Sequence, residues 1–163
     1  MRYDASRMLG DAGRSYASEF SGGVAIVCRL SPADCHRFMF PFDCRVMDYW
    51  SMDGRLDSVS PIALRLGLPI FEENSREITM LDAGRFGLVA YVEIGAFGVG
   101  RIVQTYSGDA VARKQEKGYF EFGGSTIVLL FQAGKASIDS DLLKHSREGY
   151  ETYVKMGERI GRV

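Results

Sequence analysis

Apolar positions in this chain come in short runs separated by glycine-rich or polar punctuation, a pattern that predicts strands and turns rather than long helices. The first twenty residues, through Asp4, Met8, Leu9 and Phe20, predict one short amphipathic helix ended by Gly22-Gly23. Residues 24–30 form a compact apolar run, read as a buried strand. Ser31-Pro32-Ala33-Asp34 is a turn signal that sets His36 at the start of the next segment. Residues 37–49 are rich in aromatic and branched side chains, and Pro41 argues against a helix there. The stretch 61–67 opens on proline and closes on glycine, as a short helix does.

Three further strands are predicted over 77–81, 87–94 and 101–106. Gly95, Gly98 and Gly100 punctuate the last connection. Their G-x-x-G-x-G spacing reverses that of a dinucleotide fingerprint and no helix follows, so they read as a tight strand connection. Residues 107–117 read as a polar surface loop, and 118–131 as two strands kinked at Gly123-Gly124. A turn or two of helix over 139–146 and a last strand over 150–156 complete the prediction. The fold class expected is mainly β with short helices (α+β).

Composition narrows this picture. At 163 residues the chain suits one domain, 1–163, with a core of its own. A net charge of −1 gives no bulk attraction for nucleic acid, which excludes it as a partner on that ground. Cys28, Cys35 and Cys44 are odd in number and lack CxxC pairing, so they read as reduced thiols of a cytoplasmic protein and not as a metal site. No apolar run is long enough to span a bilayer, which leaves a soluble or peripheral protein as the expectation.

The chemistry enters with Lys117-Gly-Tyr-Phe-Glu-Phe-Gly-Gly-Ser-Thr126 and the apolar run to Phe131. Alone, Gly-Gly-Ser-Thr reads as a flexible turn. It is accompanied, in order, by Arg29-Leu-Ser-Pro-Ala-Asp-Cys-His-Arg37, by Gly54-Arg-Leu-Asp-Ser-Val-Ser-Pro-Ile-Ala63, and by Glu73-Asn-Ser-Arg76. Val92-Glu-Ile-Gly-Ala96 with Val99-Gly100, and Val154-Lys-Met-Gly-Glu-Arg-Ile-Gly161, follow. These six segments together resemble the phosphatidylserine decarboxylase family.

The resemblance implies a single domain with a barrel-sandwich-like β core and a pyruvoyl group made from the chain itself. Ser125 Oγ would attack the Gly124 carbonyl, giving an ester; elimination and hydrolysis would leave pyruvoyl at residue 125, with the chain split between 124 and 125. Such a group is the electron sink that amino-acid decarboxylation needs and no side chain supplies. His36 matches the family's first histidine, implied to contact substrate and assist proton transfer. A small-molecule or lipid substrate, a homodimer and peripheral membrane contact are also implied. His145 matches no family site and reads as a surface residue.

The chain departs from the family pattern close to this chemistry. Met39 stands where the family has a second histidine, implied to be the base that activates the serine, and a thioether cannot take up a proton near neutrality. The aspartate that the family pairs with that histidine is expected upstream of the matching region, and neither Asp4 nor Asp11 takes its place. Cys35, Cys44 and Ser60 replace tyrosine, glycine and asparagine, and the family's N-terminal membrane-associated portion has no counterpart. Two readings follow: a pyruvoyl-dependent decarboxylase acting on phosphatidylserine or a related amino acid, or an uncleaved, repurposed protein whose old pocket, lined by Phe38 and Met39, binds an apolar small molecule or serves a non-decarboxylating biosynthetic reaction such as a cyclisation.

Overall fold

A computed structural model describes residues 3–98, 101–121 and 125–162, without the side chain of Arg65. The chain is mainly β with short helices, in one domain built on antiparallel sheets. The main sheet has six strands in the order β1-β9-β5-β4-β3-β7: β1 (Val24–Leu30), β3 (Cys44–Met52), β4 (Arg76–Asp82), β5 (Leu88–Gly95), β7 (Ala110–Val111) and β9 (Ser125–Phe131). A second sheet has the order β2-β8-β6, from β2 (Arg37–Met39), β6 (Arg101–Gln104) and β8 (Glu116–Glu121). A small hairpin-like pair joins β10 (Ser137–Ile138) to β11 (Gly161–Arg162).

The central strands β5 and β9 read as continuous apolar runs because both faces of the main sheet are covered. On β5, Ala90, Val92 and Ile94 face one side with Val128 and Leu130 of β9. Short helices lie over that side: α1 (Ala5–Leu9), α2 (Arg14–Ala17), α3 (Pro61–Arg65) and α4 (Ile70–Glu73), delivering Met8, Leu9, Ile70 and Phe71. The alternate residues, Val89, Tyr91, Ile127, Leu129 and Phe131, face the second sheet and meet Phe38, Phe40 and Phe120. Each such side chain, fully buried, contributes about 1.5–3 kcal/mol. The result is a helical layer, the six-stranded sheet and the three-stranded sheet.

The first twenty residues do not form the single helix that their apolar points predict. Asp4 caps α1 by accepting from Ser6 N at 2.9 Å, but Gly10, at φ +67°, ends it after five residues. The α2 turn and a 3-10 turn at Ser18–Phe20 follow as separate pieces. Arg76 ties α1 to the sheet, donating to the carbonyls of Arg7 (2.9 Å) and Met8 (2.8 Å) that the short helix leaves open.

Two other segments differ from expectation. Residues 107–117 are not wholly a surface loop: Ala110–Val111 adds to the edge of β3, and Lys117 lies inside the molecule with no exposed surface. Residues 150–156 form no strand. Their aromatic content reads as β, yet they pair with none of the described strands, and Tyr153 is 81% exposed. Arg29 holds this segment through two 2.7 Å hydrogen bonds to Glu151. The helix expected over 139–146 is α5 (Ser140–Arg147).

Candidate active site

The site sits at one corner where chains pass between the two sheets. Ser125, the first residue of β9, is paired with Leu30 at the end of β1 and with Gly95 at the end of β5. Across the corner, Glu121 at the end of β8 pairs with Arg101, the first residue of β6, and Phe120 N donates to His36 O at 3.0 Å. Strand ends from both sheets thus converge on Ser125 and Glu121. Gly124, the residue implied to be cut from Ser125, lies outside the described residues, as do Phe122 and Gly123.

Ser125 is fully buried, and its Oγ has no hydrogen-bond partner among the described residues. A buried hydroxyl without a partner costs about 1–3 kcal/mol; Thr79 and Thr126 Oγ1 share that state, but only Ser125 stands at the expected cut. Strand alternation turns Ser125 to the same side as Ile127 and Leu129, into the layer between the sheets. Asn74 holds the neighbouring strand end. Fully buried, it donates from Nδ2 to Gly95 O (2.7 Å) and Asp57 O (2.8 Å), and its Oδ1 accepts from Asp57 N (3.1 Å).

His36 is half-buried at the same corner. Its Nδ1 lies 2.8 Å from Asp34 O, and since a carbonyl can only accept, Nδ1 carries a hydrogen. The ring meets Phe120 edge-on at 6.5 Å. Phe38 packs into the layer between the sheets, 5.0 Å from the Phe120 ring and 6.2 Å from Tyr91. Gly118 makes this possible, since a Cβ there would sit 2.9 Å from the Phe38 ring and against the Val103 carbonyl. Met39, at a β-bulge opposite Glu116, is partly buried between the buried Phe38 and Phe40; its carbonyl accepts from Tyr91 Oη at 3.4 Å.

The replaced family positions have local roles. Ser60 caps α3, accepting from Ala63 N at 3.3 Å. Cys44 is half-buried, and burial pushes its thiol up to about 11. Cys35 is exposed. Among the described residues, no group of three or more His, Cys, Asp or Glu side chains is placed to hold a metal. His145 is bonded to Thr152 Oγ1 at 3.0 Å, far along the chain from the corner.

Two charged residues that carried no role in the sequence reading lie between the sheets. Glu93 of β5 and Lys117 of β8 are both fully buried, with Lys117 Nζ 2.5 Å from Glu93 Oε1. Lys117 also donates to Gln104 Oε1 at 2.8 Å. Its ammonium lies 5.0 Å from the centroid of Tyr91, 5.4 Å from Tyr106 and 5.8 Å from Phe38 and Phe40, a cage of four aromatic rings. Burial raises the Glu93 carboxyl to about 7, against the opposing pull of the lysine charge. Burial likewise lowers Lys117. The available signal was a lone carboxylate in the apolar run Val89-Ala-Tyr-Val-Glu-Ile94, at an odd position that faces inward.

An open cleft of about 980 Å³ lies elsewhere, in the helical layer between Tyr3, Phe20, Leu64 and Phe71, and includes no residue of the corner. Among the described residues no helix is long and apolar enough to cross a membrane.

Comparison with known proteins agrees with the corner's sequence. The family model described as phosphatidylserine decarboxylase matches residues 1–162. A phosphatidylserine decarboxylase proenzyme of Chlamydia caviae is 44% identical over 162 residues, 99% of this chain and 54% of its own length. Proteins with that name from Chlamydia muridarum and Ruminiclostridium cellulolyticum are 45% and 41% identical, over 90% and 99% of this chain and 49% and 53% of their own lengths. The chain spans about half the length of the curated relatives it matches. Matched over nearly its whole length, the chain belongs to the phosphatidylserine decarboxylase family.

Proposed function

We propose that this chain cuts itself between Gly124 and Ser125 and serves as the pyruvoyl-bearing part of a decarboxylase acting on phosphatidylserine or a related amino acid. The observation that carries the reading is the Ser125 hydroxyl, buried at the converging strand ends and without a hydrogen-bond partner among the described residues. Most buried hydroxyls have a partner, and an unpartnered one at the position of the expected cut supports the reading.

The steps balance as follows. Ser125 Oγ gives up its proton and bonds to the Gly124 carbonyl carbon; the C–N bond then breaks and the Ser125 nitrogen takes a proton, leaving an ester. Loss of the Ser125 Cα proton expels the Gly124 carboxylate and leaves a dehydroalanine. Water hydrolyses it, releasing ammonia and leaving pyruvoyl at residue 125. Once formed, that group supplies an electron sink for the carbanion of decarboxylation. Residue 125 would hold it at the start of β9, between Leu30 and Gly95.

His36, at the corner beside Phe120, is the substrate-facing acid or base in this reading, and Phe38 and Met39 belong to the wall behind it. Phe97, 81% exposed and two residues beyond Gly95, is a single apolar side chain beside the corner. Lipid and free amino acid stay equal in this reading, and the assay below separates them. A homodimer is part of the same reading, on family likeness alone.

The test is the intact mass of freshly purified protein under denaturing conditions. Two fragments are expected, the smaller starting at residue 125 and lighter than a serine-started fragment by one ammonia. Phosphatidylserine vesicles and free amino acids then compete as substrates in a carbon dioxide release assay. Ser125→Ala is expected to abolish both splitting and release. A chain that stays whole would remove the electron sink and leave only the repurposed pocket.

A further inference from the structure

The sequence removes the histidine that the family resemblance assigns as base, since Met39 stands in its place, and Met39 is partly buried at a bulge opposite Glu116. The layer between the sheets holds another candidate. In the register of β5 against β9, Gly95 is opposite Ser125 and Glu93 is opposite Ile127. Glu93 and Ser125 are therefore diagonal neighbours on adjacent strands, on one face, about 7–8 Å apart at the backbone and within reach of a long side chain. Both are fully buried. Glu93 Oε1 is engaged by Lys117, while Glu93 Oε2 and Ser125 Oγ each lack a hydrogen-bond partner among the described residues. An acceptor and a donor, both without partners, one diagonal step apart, are what a proton transfer from serine needs.

We propose that Glu93 is the proton acceptor for Ser125 Oγ during self-cleavage, with Lys117 holding its carboxylate in place; this rests on the self-cleavage reading above. The Oγ–H bond breaks as an O–H bond forms at Glu93 Oε2 and Oγ bonds to the Gly124 carbonyl carbon. The same proton passes to the Ser125 nitrogen as the C–N bond breaks, so Glu93 ends as it began. The two side chains are not hydrogen-bonded to each other in this structure, and such contacts commonly close only in the reacting state.

Charge balance supports the assignment. The lysine favours the ionised carboxylate and burial opposes it, which leaves Glu93 able to exchange a proton at neutral pH. Among the described residues, the other titratable groups facing the pair are Glu77 on β4, Tyr49 and Cys44 on β3, Cys28 on β1, Tyr91 on β5 itself and Tyr106 beyond β6. Burial raises the phenols and both thiols, so they keep their protons through neutrality. Glu77, raised by burial as well, is bonded by the Tyr49 hydroxyl and sits a strand further from Ser125.

The test follows the rate of chain splitting by mass, in the whole chain, for the wild type, Glu93→Gln/Lys117→Met and Lys117→Met. The double variant removes both charges together, so no lone charge is left buried, and a melting curve checks that it folds. Splitting at least about a hundredfold slower than wild type is expected in the folded double variant, the usual loss on removing a general base. Hydroxylamine, which cuts esters, should release no fragment from it, placing the block before the ester. Lys117→Met keeps Glu93 but withdraws the charge that favours its ionised form, so its rate–pH curve should move to higher pH. A folded double variant that splits at the wild-type rate, or an unmoved curve for Lys117→Met, overturns the role of Glu93 and leaves self-cleavage standing. A wild-type chain that never splits overturns both.

Discussion

Removing the ammonium of Lys117 is the sharpest probe of the layer between the sheets. Lys117→Met keeps a flexible chain of similar length against Phe38, Phe40, Tyr91 and Tyr106, so little packing is lost. What remains is Glu93, with no exposed surface and no opposite charge beside it. Breaking a buried pair from one side costs about 3–5 kcal/mol, and for a domain of this size that is roughly 6–20 °C in melting temperature. The penalty should depend on pH, with a sign fixed by Glu93. Its carboxyl is held at about 7 in the folded chain, above its ordinary value of 4.5. A carboxyl raised on folding contributes stability below its unfolded value, and that contribution fades as pH rises through the folded one. Without the lysine the folded value climbs further, so the variant should lie nearer to wild type at pH 5 and fall further below it above pH 7, by up to about 1.4 kcal/mol per pH unit. Urea denaturation across that range, in a Ser125→Ala background so that one uncut species unfolds, measures it. Adding Glu93→Met should recover most of the loss, because an apolar replacement of a whole buried pair is near neutral. A single variant as stable as its parent at pH 8 would refute the reasoning, since the pair would then be open to water.

Three further outcomes follow from the corner itself. Asn74→Ala leaves the Gly95 and Asp57 carbonyls without a donor, which should cost about 2–4 kcal/mol and slow chain splitting by loosening the strand opposite Ser125, read by melting and by mass. Gly118→Ala drives a methyl against the Val103 carbonyl and the Phe38 ring and should destabilise the second sheet by about 1–3 kcal/mol, seen as faster hydrogen exchange at Phe120. Met39→His, which restores the residue type that the family resemblance implies, should speed splitting by up to about a hundredfold; an unchanged rate would mean that position 39 does not reach the serine.

Sheet strands were legible where both faces are covered or glycine and proline mark the ends. The runs around Val24, Ile78, Val92 and Val128 all became strands because period and composition agreed with tertiary pairing. The failures came where local pattern and available partners disagreed. Tyr150, Tyr153 and Val154 look like a strand, but they pair with none of the described strands, and the segment is held to β1 by side chains. Lys117, in a polar stretch, reads as surface; its burial depends on Glu93, twenty-four residues earlier, and on four rings from three separate segments. Ser125 was found through its motif, while the unpartnered state of its hydroxyl needed the register of β1, β5 and β9. Pairings across that distance in sequence are not written in any local window.

The placement of Ser125 also bears on how such a chain can tolerate losing a histidine. In water, a serine hydroxyl must be desolvated and oriented before it can attack a neighbouring carbonyl, and much of an enzyme's advantage comes from doing this in advance. Here the work is done by the sheet: two strand partners fix the backbone at residue 125, and burial has already stripped the hydroxyl of water. A general base adds about a hundredfold to ten-thousandfold on top of that, and self-cleavage happens once per molecule rather than once per turnover. The demand on the base is therefore far lower for maturation than for catalysis. A buried carboxylate that already has to be there, because Lys117 cannot be buried without it, meets that demand without a new residue. On this argument substitution at position 39, at Asn74 or at Glu93 changes how fast the chain matures, and none of the three alone decides whether it does.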